Sequence, residues 1–484
     1  MIEFLKEYFW TILLVVNYII GFSAAITILL KNINPTKTLT YVIVLVFFPF
    51  LGILVYYLFG QEYRKNKIFS RKRILNEVIV KEINDNLELN QTDLNKINAD
   101  LNDKIKLVKL LHNNGKSKLT LNNEVKLFVN GNDKFELLLK DLESAQNFIH
   151  LEYYIIKDDT IGNKLIKILC DKAKAGVNVR LSVDGVGSEL SAKAIQTLKA
   201  SGVEIYKFMP VFFPKFTGKM NYRDHRKIAI IDGLIGYVGG MNISDEYLNY
   251  KNDNQFWRDT HLRIVGDAVA MLQIHFLTTW DFVSNNKTKI QSNFFPESKT
   301  SNNTMLQIAA SGPDTDWACI KQALIMAINT ATEYIYITTP YFIPSPEIIT
   351  ALQIAEKSGV DVRILIPEKS DSWIAKHATD SYLQTCLESN IKIYLYTKGF
   401  IHSKTQVLDD AVSSIGTANL DYRSLNINFE INAFVYCTEF SKSLKAQFLE
   451  DLKTSKQITL EGWHKRSKSK KLKESFCRLW APLL

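Results

Sequence analysis

A chain of 484 residues with 46% hydrophobic and 23% charged residues exceeds one ordinary domain and excludes a wholly disordered protein, so two core-forming units or one duplicated unit are expected. The formal net charge of +9 calls for an anionic partner, either nucleic acid or an acidic phospholipid surface, and charge alone does not separate the two. Five cysteines, Cys170, Cys319, Cys386, Cys437 and Cys477, lack CxxC spacing and clustered histidines, which argues against a disulfide framework and against a zinc site.

No residue from Trp10 to Leu30 is charged, and a helix of that length crosses a hydrocarbon core of about 30 Å. A short polar stretch, Lys31 to Thr40 with Pro35, separates it from a second uncharged run, Tyr41 to Gly60. The two runs predict a transmembrane hairpin. Beyond it stand Arg64, Lys65, Lys67, Arg71, Lys72 and Arg73, whereas the loop between the runs offers Lys31 and Lys37. That bias places everything after residue 60 on the cytoplasmic side of a cell membrane. Lys6 lies between Glu3 and Glu7, so the N-terminus has no basic leader region, and the second run would anchor the chain in any case.

Residues 75–112 are polar, lysine-rich and poor in glycine and proline, with apolar positions near helical spacing, and read as a helical connector without chemistry of its own. From about residue 120 strands and helices alternate, and the pattern occurs twice. Asn147 to Ile156 reads as a strand, Gly162 to Ala175 as a helix and Val177 to Val183 as a strand. Tyr334 to Ile343, Ile348 to Lys357 and Val360 to Ile366 repeat that order. Gly176 and Gly359 each close the helix before a β-branched strand. The expected division is a hairpin at 1–60, a linker at 61–120, a first lobe at 121–300 and a second lobe with a basic tail at 301–484.

Each half carries one constellation. In the first, His225, Lys227 and Asp232 form H-x-K-x-x-x-x-D, followed by Gly239, Gly240 and Asn242. The second repeats the spacing with His402, Lys404 and Asp409, then Gly416, Thr417 and Asn419. In a strand, residues two apart share a face, so an imidazole and an ammonium converge while Arg226 or Ser403 points away. A phosphodiester needs such partners: an imidazole to attack phosphorus, cations for the non-bridging oxygens and an acid for the departing alkoxide. The glycines permit close backbone approach, and Asn242 and Asn419 offer amide donors to a phosphate.

These residues resemble the twin HKD motifs of the phospholipase D superfamily. The resemblance implies an α/β fold of two similar phospholipase D-like lobes, each a mixed sheet flanked by helices, related by pseudo-twofold symmetry with the motifs meeting at one site. It implies a two-step exchange in which His225 attacks to give a phosphohistidine and His402 acts as acid and then base, with Lys227, Lys404, Asn242 and Asn419 gripping the phosphate. A carboxylate usually orients such a histidine. By similarity Glu430 takes that part in the second half, and the equivalent strand of the first nominates Asp259 beside His225. Asp232 and Asp409 are counted with the catalytic motifs and are read as mainly architectural, tying the motif backbone together, with a direct part in the chemistry as the equal alternative. No metal or other cofactor is implied, because two lysines already balance the phosphate charge.

Phe256-Trp257-Arg258-Asp259-Thr260-His261, Ser311-Gly312-Pro313, Thr339-Pro340-Tyr341-Phe342-Ile343-Pro344 and the terminal Pro482-Leu483-Leu484, together with the hairpin, resemble the bacterial cardiolipin synthase branch of that superfamily. That branch joins two phosphatidylglycerol molecules and releases glycerol without a nucleotide, in keeping with the lack of a P-loop or dinucleotide fingerprint here. Two segments fit a lipid surface: Lys207 to Phe216, where aromatics, lysines and prolines precede the first motif, and the basic tail Trp463 to Lys473 followed by Phe476, Leu479 and Trp480. A hydrolytic phospholipase D or another phosphatidyltransferase would use the same site. A nuclease also fits the charge, but leaves two membrane spans poorly explained.

Overall fold

The computed structural model describes residues 7–30, 35–55, 72–75, 77–88, 97, 101–209, 222–249, 256–285, 288–298, 300 and 302–484. They form two compact units, the helices up to Val55 and the chain from Lys72 onward.

In the first unit, Phe9–Leu30 is a 22-residue helix, long and apolar enough to cross a membrane. The second apolar run is divided into helices Pro35–Phe47 and Pro49–Val55, with Phe48 between them. The Phe48 N–H still donates to the Val44 carbonyl at 2.8 Å, and the missing backbone N–H of Pro49 accounts for the break in the continuous span predicted from Tyr41. Residues 56–60 of that prediction, and the basic run 64–71, lie outside the described residues. Ala25, Ile28 and Leu45 pack the helices together.

The second unit contains two sheets of matching topology. One has seven strands in the spatial order Asn123–Phe128, His261–Gly266, Ile235–Gly239, Lys227–Ile231, Phe148–Tyr153, Asn178–Asp184 and Glu204–Phe208. The other repeats all seven as Met305–Ser311, Glu430–Tyr436, Val412–Gly416, Thr405–Leu408, Tyr334–Thr338, Asp361–Pro367 and Lys392–Tyr396, and adds Leu119–Thr120 and Ser455–Ile458 at its edges. In each, the last three of the seven are parallel and the others antiparallel. The duplication is therefore structural, strand for strand. Gly176 and Gly359 sit at equivalent helix ends with φ of +93° and +95°, a conformation that disfavours any side chain.

Helix Ala268–Val283 is apolar around most of its circumference and lies in the core shared by the two sheets, with Ile228 and Leu262 of one and Ile308 and Ile431 of the other. The connector is helical over Lys72–Leu75, Val78–Asn86 and Ile105–Gly115. Part of its apolar face is buried: Ile74 and Val80 join the shared core, while Leu107, Val108 and Leu111 join that of the second lobe, and Val78 stays exposed. The strand predicted over Tyr334 to Ile343 is two strands. Tyr334–Thr338 ends just before Pro340, and Phe342–Ile343 leaves the sheet to pair with Leu420–Asp421.

Candidate active site

Each histidine lies at the mouth of a strand rather than inside one: His225 two residues before Lys227–Ile231, His402 between Gly399–Ile401 and Thr405–Leu408. Both are tied to the opposite lobe. The His225 N–H donates to the Phe429 carbonyl at 3.0 Å, and Phe429 returns a bond to Arg223. In the mirrored arrangement, Gly399–Ile401 pairs in parallel with Phe256–Arg258, and the His402 N–H donates to the Arg258 carbonyl at 2.7 Å.

These pairings decide which carboxylate meets which imidazole. Glu430, next after Phe429, places both carboxylate oxygens 3.0 Å from His225 Nδ1. Asp259, next after Arg258, lies 2.7 Å from His402 Nδ1. The expectation that Asp259 would stand beside His225 is therefore corrected, and the partners are exchanged between lobes. Equivalence within one half describes its sheet, whereas the carboxylates project across the interface that joins the sheets.

With Nδ1 held by an anion, each imidazole presents Nε2 to a ligand. The carboxylate side chains are fully buried, while His225 and His402 retain 12% and 10% of their side-chain exposure, an opening at the imidazoles rather than behind them. Thr417 donates to Glu430, and Asn428 adds a bond at 3.3 Å. At the position equivalent to Thr417 the first half has Gly240, where a Cβ would come within 2.3 Å of Asp259 Oδ1. Burial pushes the His225 pKa down against the pull of Glu430, and pushes that of His402 down to about 4, with Lys404 adding to the effect and Asp259 opposing it. Glu430 is held below the usual carboxylate range, burial being outweighed by His225, Lys227 and Thr417.

Lys227 and Lys404 donate to the carbonyls of His225 and His402, which turns each ammonium back toward its own histidine. Burial lowers Lys227 to about 7 and Lys404 to about 8. The motifs share one field: Lys404 acts on His225, and Lys227 acts on His402. Two partly destabilised ammonium groups beside two imidazoles form a cation cluster that an anionic phosphodiester would relieve.

The remaining predicted residues take different places. Asp232 and Asp409 stand at the far ends of the motif strands, in turns with φ of +53° and +52°. Asp232 accepts the N–H groups of Gln146, Asn147 and Phe148 at 2.7–2.8 Å. Asp409 accepts those of Thr332, Glu333 and Tyr334 and pairs with Lys104 at 2.9 Å. Both thus fix the start of the neighbouring strand instead of facing the imidazoles. Asn242 accepts from the Ile155 N–H and donates to Tyr247 Oη at 3.1 Å. Asn419 is buried, with Asp421 as a hydrogen-bond partner.

Tyr247 was missed in the sequence: its Oη lies 3.3 Å from His402 Nδ1, and it stands five residues after Asn242, where the second half has Ser424. Only the departure from the repeat marked it. Arg226 points away from the histidines as expected, but into the interface, donating to Thr279, lying 3.5 Å from Glu152 and reaching the Glu430 carbonyl. Ser403, its counterpart, meets Thr260 of the first lobe. Of the proposed lipid-facing loop, residues 210–216 lie outside the described residues.

A family model described as cardiolipin synthase, PLD-like domain, matches residues 138–280 and 324–452, and one described as phospholipase D-nuclease N-terminal matches residues 19–61. A cardiolipin synthase of Halalkalibacterium halodurans is 42% identical over 462 residues, 95% of this chain and 91% of that protein. One from Listeria monocytogenes serotype 4a is 40% identical over 483 residues, covering 99% of this chain and 100% of its own length. Among solved structures, the phosphatidylserine synthase of Haemophilus influenzae superposes with a TM-score of 0.58 at 13% identity, covering 79% of this chain and 100% of that one, a likeness of fold. The matched segments contain both motifs and the carboxylates that cross between them, and the chain belongs to the cardiolipin synthase family of phospholipase D-like proteins.

Proposed function

We propose that this protein transfers a phosphatidyl group from one phosphatidylglycerol to the free glycerol hydroxyl of another, giving cardiolipin and glycerol. The observation that carries the reading is the pair of imidazoles, each with Nδ1 on a carboxylate from the other lobe and each within the field of both motif lysines.

His225 Nε2 attacks the donor phosphorus as the bond to the headgroup glycerol breaks, and His402, brought to its protonated form by the negative charge of the bound phosphodiester, gives that proton to the departing oxygen. Glu430 stabilises the charge that His225 acquires. The hydroxyl of the second phosphatidylglycerol then gives its proton to His402 and attacks phosphorus, the P–N bond breaks, and both imidazoles return to their starting state. Lys227 and Lys404 balance the non-bridging oxygens throughout, and an amide hydrogen of Asn242 or Asn419 adds to that grip. The ammonium groups thus fill the electrostatic role a metal would take. The exchange replaces one phosphodiester by another, so it needs no nucleotide. An N-terminal hairpin of two spans holds the catalytic lobes on the cytoplasmic face, where the anionic substrate lies, and the positive residues after position 60 support that side.

A phosphatidyl ester of p-nitrophenol tests the order of events, because its leaving group needs no acid. His402→Ala should release one p-nitrophenolate per chain and stop with phosphatidyl on His225, while His225→Ala releases none. A burst from His225→Ala with none from His402→Ala would exchange the roles, and no burst from any form, including wild type, would contradict the covalent exchange.

A further inference from the structure

The C-terminal helix Lys468–Arg478 has two unlike faces. Glu474 and Cys477 are buried against helix Trp373–Glu388, and Arg466 pairs with Glu474 at 2.5 Å. On the opposite side Leu472, Phe476 and Leu479 follow helical spacing and are 72%, 56% and 76% exposed, with Trp480 beside them at 47%. Lys468 and Lys473 flank this stripe and Lys465 precedes it. At the start of the neighbouring helix, Trp373 and Ile374 are also exposed, and the Trp373 ring packs on His377, which feels Lys470 and Lys473.

A stripe of large apolar side chains bordered by lysines matches an anionic bilayer surface: the apolar residues enter the acyl boundary and the ammonium groups meet the phosphates. The helix is also fastened to the second motif. Ala481 shares a small core with Ile343 and Ala378, the Arg423 N–H donates to the Leu484 carbonyl at 2.7 Å, and Ile343 pairs with Asp421, two residues after Asn419. We propose that helix Lys468–Arg478 with Trp480 is an interfacial docking element that seats the second lobe on anionic phospholipid, independently of the N-terminal span. Its occupant is the bilayer surface, and the C-terminal residues transmit its position to the strand pair beside Asn419.

Full-length protein reconstituted in phosphatidylglycerol vesicles, with and without acyl chains brominated near the headgroup, tests the seat directly. The bromolipid quenching of wild type should exceed that of Trp480→Phe, and equal quenching would overturn the proposal. This arm does not involve the reaction, so its failure is distinct from failure of the phosphatidyl exchange. A second arm uses Leu472→Ser combined with Phe476→Ser and Leu479→Ser, all exposed positions outside the core. Cardiolipin formation on vesicles should fall about tenfold, while the rate on phosphatidylglycerol dispersed in nonionic detergent micelles stays within twofold of wild type. Equal losses in both media, or a change from dimer to monomer in the triple variant, would overturn the lipid assignment, the latter by making the stripe an interface between copies of the chain.

Discussion

Glu430 and Asp259 each serve a histidine of the other lobe, and the reaction separates their contributions. With the p-nitrophenyl ester, the proposed exchange requires His225 and its carboxylate in the first step and does not require His402. Glu430→Gln should slow the burst by up to about 10⁴-fold, the scale on which removing the orienting anion of a catalytic imidazole acts. Asp259→Asn should leave the burst near the wild-type rate and stop turnover after it. A reversed pattern would mean that each carboxylate serves its own half. Tyr247→Phe removes a hydroxyl that touches His402 Nδ1 and receives Asn242, and should lower kcat up to about tenfold without changing the burst. The motif residues were legible because their spacing occurs twice. The crossing was not, since it depends on which strands of two separate sheets abut, and Tyr247 was hidden because it has no counterpart in the repeat.

At the level of elements, the turns after the motif strands hold the duplicated architecture together. Asp232→Ala leaves three backbone N–H groups at Gln146, Asn147 and Phe148 without their carboxylate, and should cost about 2–4 kcal/mol in thermal unfolding while kcat per folded molecule stays close to wild type. A loss of kcat without a loss of stability would instead make Asp232 part of the chemistry. Period-two and helical patterns exposed one strand–helix–strand unit in each lobe, including the glycines that close the matching helices, and left most of the other strands and helices unnamed. The errors fell at prolines: Pro49 divides the second apolar run, and Pro340 detaches Phe342–Ile343 from the strand before it. The connector read as polar and helical, yet Ile74, Val80, Leu107, Val108 and Leu111 are buried in the two cores, which composition averaged over the segment conceals.

Across the whole molecule, duplication brings two buried lysines into the field of both imidazoles. Burial brings the pKa of Lys227 down to about 7 and that of Lys404 down to about 8. A bound phosphodiester favours the ammonium forms, so binding takes up protons as the pH rises past these values. The KM for phosphatidylglycerol should therefore increase above about pH 8, by up to about tenfold per unit for each proton taken up, while the phosphodiester charge itself stays constant. A KM independent of pH between 7 and 9 would show that the lysines do not hold the phosphate. Helix Phe9–Leu30 is long and apolar enough to cross a membrane.

The most direct test of the central claim is the product balance of purified protein in phosphatidylglycerol vesicles, with chelator present and nucleotide absent. The account predicts one cardiolipin for each glycerol released, and no product from His225→Ala or His402→Ala. Phosphatidic acid in place of cardiolipin would make water the acceptor and the protein a hydrolase, and activity on DNA with none on lipid would contradict the lipid reading altogether.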